Sequence, residues 1–293
     1  MPHTTAASIR DYITLLKPGV MSLVVFTGAV GMFLAPGHIH PFLALIAILA
    51  IALGSGAGAV INMWYDRDID AIMKRTQNRP LPAGRVAPDD ALMMGIMLSL
   101  LAVGLLGMAT NWFAAGMLAF AIFFYAVIYT MLLKRSTAQN IVIGGAAGAF
   151  PPVIGWAAVT GDATLLPWLM FGIVFLWTPP HFWALALYRH DDYARANVPM
   201  LPVTAGAAST KRHIVAYTVL LILISLSPLL AGCGVLYGVA ASLLGARFLA
   251  GAIKVARSDV PKDAMRLFGY SIFYLFALFS AFILDKVASG YLA

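Results

Sequence analysis

The strongest constraint in this 293-residue chain is the recurrence of apolar runs about as long as a bilayer is thick. A helix that crosses the hydrocarbon core needs about 20 mostly apolar residues. Nine such runs are legible, at 20–36, 42–62, 90–109, 112–133, 139–159, 165–187, 213–231, 234–253 and 267–284. Some connections are very short, such as "ATNW" at 109–112 and "GCG" at 232–234. Lipid offers no partner to a free N–H or C=O, so helices joined by tight turns are the expected solution. Charged residues make up only 11% of the chain, against roughly 25% in soluble domains. The predicted fold is therefore all-α, a polytopic membrane protein with nine transmembrane helices.

The basic residues set an orientation. With these spans, every one of the 19 Lys and Arg residues except Lys286 falls on the same side. The positive-inside rule makes that side cytoplasmic, with the N-terminus inside and the C-terminus outside an inner, multi-pass membrane location. The net charge of +7 then reflects basic loops at a lipid bilayer, and no nucleic-acid partner is expected. Arg10 and Lys17 before the first run mimic a signal peptide, but the alternation that follows favours an uncleaved first span. Cys233 is the one cysteine and has no partner for an internal disulfide. One integral-membrane domain over 1–293 is expected, with long polar connections at about 63–89 and 188–212 on the cytoplasmic side.

The first connection begins "NMWYDRDIDAIMKRTQNRPLPAGR", at 62–85. Asn62, Asp66 and Asp70 recur every fourth residue and share one face if the second span stays helical. Asp68 points roughly the other way. Oxygen side chains in such a stripe suit Mg²⁺, which takes one or two carboxylates together with waters and substrate phosphates. Lys74, Arg75, Arg79 and Arg85 follow, and such side chains bind phosphate oxygens, Arg often in bidentate fashion. The mixed charges thus predict a metal–diphosphate site.

The second connection belongs to "WTPPHFWALALYRHDDYARANVPMLP", at 177–202. Pro179 and Pro180 are expected to interrupt or bend the sixth span. His181, Tyr188 and Asp192 fall on one helical face, which offers a further carboxylate opposite the first stripe. Arg189 and Arg195 add phosphate donors, and Asp191 and His190 lie beside them. His181 sits in an otherwise apolar span, where an ionisable group is a functional candidate by default. Tyr65, Trp183, Tyr188 and Tyr193 offer ring faces that can attract a cation.

These blocks, with "LLKPGV" at 15–20, carry a resemblance over nearly the whole chain to the UbiA superfamily of intramembrane prenyltransferases. "DRDIDAIMKRT" and "PPHFWALA…VPMLP" are similar to its haem-modifying branch. The resemblance implies helices around a central cavity open to the cytoplasmic surface. It implies Mg²⁺-dependent transfer of farnesyl from farnesyl diphosphate to a vinyl group of haem B, with addition of water to give haem O. Haem would be a substrate and not a resident cofactor. Haem A synthase or terminal-oxidase assembly factors are the partners it suggests.

On this basis Asn62, Asp66, Asp70 and Asp192 are the expected metal residues. Asp66, Asp70, Asp191, Asp192 and Tyr188 are the catalytic candidates. Lys17, Lys74, Arg75, Arg79, Arg189 and Arg195 would hold the diphosphate. His181, Trp183 and His190 are the haem-binding candidates. The second motif departs from the D-x-x-x-D of many relatives, because Ala196 follows Asp192 by four residues and Arg195 follows Asp191. Prenyl transfer to a quinone precursor or chlorophyllide, a secondary transporter, and a haem-binding oxidase assembly subunit are the rival readings.

Overall fold

A computed structural model describes residues 7–290. Helix α1 (Ile9–Leu15) is started by Ser8, whose hydroxyl accepts from the Asp11 N–H while the Asp11 carboxylate accepts from the Ser8 N–H. The chain then turns at Lys17 into α2 (Pro18–Leu34), 52° away from α1. Pro18 at the first helical position has no N–H to leave unpaired. After α3 (Pro41–Tyr65) come the short α4 (Arg67–Ile72) and then α5 (Pro88–Ala109). Helix α6 (Trp112–Phe123) runs straight into a π-helical stretch, Phe124–Leu133. The fifth predicted span is two helices, α7 (Asn140–Ala149) and α8 (Pro151–Thr160), divided where Pro151 follows Phe150.

The long α9 (Leu165–Tyr188) leads to the short α10 (His190–Arg195) and α11 (Leu201–Thr204). The bundle closes with α12 (Gly206–Leu226), α13 (Val235–Arg257) and α14 (Pro261–Ala288). Among the described residues, eight helical stretches are long and apolar enough to cross a membrane, or nine if α1 and α2 count as one bent span. The chain is thus an all-α, multi-pass membrane protein.

Two features position the site. Small residues let backbones touch, as they do between membrane helices generally. A Cβ on Gly31 would collide with the Pro152 backbone, and one on Gly155 with the Gly28 carbonyl, so α2 and α8 pack at glycine distance. Helix α9 runs on through Pro179 and Pro180, so of the two outcomes expected there the interruption does not occur. Each proline removes one donor, from the carbonyls of Phe175 and Leu176, and side-chain bonds around them hold the turn in place. Thr178 Oγ1 donates to the Val174 carbonyl at 2.8 Å, and Trp177 Nε1 ties the same turn to the Ser271 carbonyl of α14 at 2.7 Å.

Candidate active site

The acidic stripe survives the end of α3. Although α3 stops at Tyr65, the Asp66 N–H donates to the Asn62 carbonyl at 3.0 Å and the Asp70 N–H to the Asp66 carbonyl at 2.8 Å. The fourfold spacing therefore persists into α4. Asn62, Asp66 and Asp70 are all buried, whereas the Asp68 side chain is 61% exposed on the opposite face.

Each member of the stripe is held by a base or amide. The Lys17 ammonium donates to Asn62 Oδ1 at 2.7 Å. Lys17 has a left-handed backbone, φ 54°, which costs an L-residue about 1 kcal/mol or more. That conformation turns the chain from α1 into α2 beside Asn62. Asn62 Nδ2 donates to Asp66 at 2.7 Å and to Thr130 Oγ1 at 3.1 Å. Arg79 pairs with Asp70 at 2.6 Å. Lys134 pairs with Asp66, and Arg135 lies 3.6 Å from Asp66 Oδ1. Arg135 also grips Asp68 with both terminal nitrogens, each at 2.7 Å, which holds the Asp68 carboxyl below the usual carboxylate range. Its guanidinium sits 4.7 Å above the Tyr65 ring.

Lys134, Thr130, Tyr125 and Tyr129 were not singled out as site residues from sequence. They arrive through the π-helical stretch. Its wider turns take the Lys134 N–H back to the Tyr129 carbonyl and the Thr130 hydroxyl to the Tyr125 carbonyl, each five residues earlier. π-Helical turns often mark functional sites. Here they deliver Lys134 and Thr130 to the stripe and leave Tyr125 and Tyr129 stacked, 5.8 Å apart and 12° from parallel. The basic pair "KR" at 134–135 was the available signal, but it had been read only as an orientation mark.

The two polar connections meet. Ile69 and Met73 from the first share a buried cluster with Ala186, Ala196, Val198 and Met200 from the second, and Tyr129 and Tyr193 pack against it. Tyr193 is partly buried between the blocks, and the loss of water around it pushes its phenol pKa up.

The second block does not supply all that its residue types suggested. Asp192 is buried but pairs with Arg195 of its own helix. The Asp191 side chain is 90% exposed and touches only His190, at 3.2 Å. Tyr188 is exposed with Arg189 over its ring at 5.1 Å. Trp183 is fully buried against His213 and Tyr217 of α12, away from the acidic stripe. Lys74 and Arg75 are exposed on the first connection.

His181 is buried between Trp177 and Phe268, with ring centroids 4.2 and 4.4 Å away. Its Nδ1 lies 2.6 Å from Ser271 Oγ, whose proton is directed to the Phe268 carbonyl at 2.6 Å. The hydroxyl then accepts, so Nδ1 carries the imidazole proton and Nε2 keeps a free lone pair. The edge of the Phe182 ring meets His181 at 5.0 Å, and Phe182 packs in the cluster shared with Tyr129 and Tyr193.

Among the described residues, no three His, Cys, Asp or Glu side chains gather closely enough to form a protein-only metal cage. Asp192 therefore does not join Asp66 and Asp70 in one protein-only cluster. What is assembled is two buried carboxylates and an amide, ringed by Lys17, Arg79, Lys134 and Arg135. Asp66 Oδ1 is buried without a hydrogen bond. That donor set fits Mg²⁺ in the form that relies on one or two carboxylates and completes its shell with phosphate and water.

The sequence profile of the UbiA prenyltransferase family matches residues 24–280. A protoheme IX farnesyltransferase of Rhizobium johnstonii is 59% identical over 287 residues, spanning 96% of this chain and 91% of its own length. The protoheme IX farnesyltransferase of Rhodopseudomonas palustris strain BisB5 is 56% identical over 294 residues, spanning 99% and 94%. Among solved structures, a digeranylgeranylglyceryl phosphate synthase superposes with a TM-score of 0.79 at 17% identity, over 96% of this chain and 99% of that one. A UbiA homologue from Archaeoglobus fulgidus bound to DMAPP and Mg²⁺ gives 0.65 at 15% identity, over 92% and 99%. At those identities the structural likeness speaks for the fold.

Proposed function

Because this chain belongs to the UbiA prenyltransferase family, we propose that it is a protohaem IX farnesyltransferase. It transfers farnesyl from farnesyl diphosphate to a vinyl group of haem B and, with addition of water, yields haem O. The observation that carries this reading is the buried stripe Asn62–Asp66–Asp70 enclosed by Lys17, Arg79 and Lys134. It supports a grip on a metal–diphosphate headgroup at the edge of a membrane. Relatives at 56–59% identity that bear this activity in their names support the choice of substrates.

Asn62, Asp66 and Asp70 would hold Mg²⁺, and the ion would offset the charge that develops on the departing diphosphate. Arg79, Lys134 and Lys17 turn from the stripe to the outer phosphate oxygens when the headgroup binds, and are then in place before charge develops. The bond between farnesyl C1 and oxygen breaks, and diphosphate leaves with the electron pair. The Tyr125–Tyr129 stack, with Tyr65 and Tyr193 beside the charged groups, excludes water and offers ring faces to the allylic cation. The vinyl terminal carbon forms the new carbon–carbon bond to C1. Water then adds its oxygen to the remaining vinyl carbon and releases one proton.

His181 is the haem-facing candidate that the geometry favours over Trp183 and His190. With Nδ1 protonated toward Ser271, Nε2 has the lone pair that iron ligation requires. The reaction takes place at the cytoplasmic face of the inner membrane, with the N-terminus inside. The test is to incubate membranes containing the protein with haem B, farnesyl diphosphate and Mg²⁺ and to weigh the extracted porphyrins. A product heavier than haem B by one farnesyl and one hydroxyl group, absent when Mg²⁺ is chelated, is expected. Unchanged haem B, or transfer to a quinone precursor instead, would refute the assignment.

A further inference from the structure

A second charged region lies apart from the stripe, where the ends of α13 and α14 form a groove. Arg247, Lys254 and Arg257 recur on α13 at helical spacing, and Asp263, Arg266, Tyr270 and Phe273 recur on α14. The two rows face each other. Lys254 pairs with Asp263 at 3.0 Å, Arg266 approaches it at 3.3 Å, and Arg247 stands over the Tyr270 ring at 5.0 Å. A cleft of about 400 Å³ opens between the rows, lined by Lys254, Arg257, Ser258 and Asp263. Two bases thus share one carboxylate, and among the described residues Arg247 and Arg257 have no ion-pair partner.

The position of Arg247 is the informative part. The sequence placed it near the end of a span, but α13 continues to Arg257. Arg247 is therefore exposed about 15 Å before the helix ends, at 1.5 Å per residue. An unpaired, lipid-facing cation at such a depth is unfavourable unless it reaches an anion nearer the surface. It does lean that way, since its guanidinium comes within 3.7 Å of where a Cβ on Gly251 would lie, one turn toward Arg257. Below it the groove becomes apolar, with Leu243 and Phe273 exposed.

We propose that this groove is a binding site for an anionic phospholipid. The phosphodiester sits among Arg247, Lys254 and Arg257, and an acyl chain runs down past Leu243 and Phe273. Basic pockets between membrane helices recognise acidic headgroups in this way. A cation row that continues into an apolar row matches a headgroup that continues into a tail, whereas a small free anion would have no use for the lower half.

The experiment uses the full-length protein in detergent, with native mass spectrometry to count bound phosphatidylglycerol and phosphatidylcholine. The wild type is expected to retain phosphatidylglycerol preferentially. Arg247→Gln with Arg257→Gln should weaken that binding by roughly five-fold for each cation removed, with phosphatidylcholine unaffected. Lys286→Gln, at the other end of the bundle, should leave the preference intact. If the double variant does not fold, Arg257→Gln alone is read in the same way. Equal retention of the two lipids by the wild type would overturn the proposal. So would a double variant that keeps the preference, or inorganic phosphate that displaces phosphatidylglycerol completely.

Discussion

The two polar connections carry similar residues, yet the bundle treats them in opposite ways. In the first, the carboxylates are buried: Lys134 reaches Asp66 and Lys17 reaches the Asn62 amide from far along the chain, while Arg79 holds Asp70 from within the connection. In the second, Asp192 is served by a base on its own short helix, and Asp191 faces outward. Charges held by partners on other helices are fixed in space by the fold. Charges served by a near neighbour are fixed by little beyond one turn of helix. The first connection therefore has the rigid arrangement that a pre-organised site requires, and the second packs Val198 and Met200 against it.

That contrast can be broken most forcefully at Asp66. Asp66→Asn should lower haem O formation by about 10²–10³-fold, measured by chromatography of extracted haems, while Asp191→Asn stays near the wild-type rate. Equal losses in the two variants would erase the distinction. Lys134→Met comes next. It removes a base and leaves Asp66 with an unbalanced charge, so activity should fall about 100-fold and the thermal midpoint should drop, because breaking a buried pair costs about 3–5 kcal/mol. Lys134→Arg should recover part of both.

Asp192→Asn sharpens the comparison at an intermediate level. If the residue mainly anchors Arg195, the double variant with Arg195→Gln should be no worse than either single change, with a coupling of about 1 kcal/mol or less. A further large loss in the double variant would place Asp192 in the grip itself. Smallest is Lys74→Gln. Its side chain is exposed, so the KM for farnesyl diphosphate should change by about two-fold or less.

Much of this architecture was legible in the sequence because lipid leaves few alternatives. Apolar length fixed where the helices fall, and the fourfold repeat of Asn62, Asp66 and Asp70 fixed their common face even across the break at Tyr65. Other features were hidden for physical reasons. The π-helical stretch at Phe124–Leu133 is apolar at almost every position, so nothing local announced that Lys134 would turn inward. Pro179 and Pro180 read as a break because local rules do not include Ser271 and its neighbours on α14, which hold that turn in place. Trp183 and His181 lie two positions apart on α9 but face different helices, α12 and α14, and only tertiary packing decides between such directions.

The mutual pairing of Lys134 with Asp66 and Arg79 with Asp70 has a consequence for the order in which ligands arrive. A divalent ion alone would have to evict two cations and leave them stranded beside it. A polyphosphate alone would strip the carboxylates of their counter-charges. When both come together, every displaced group finds a new neighbour of opposite sign. The resting salt bridges thus behave as an interlock, so the affinity for magnesium should rise steeply when prenyl diphosphate is present, and the reverse must hold to the same degree.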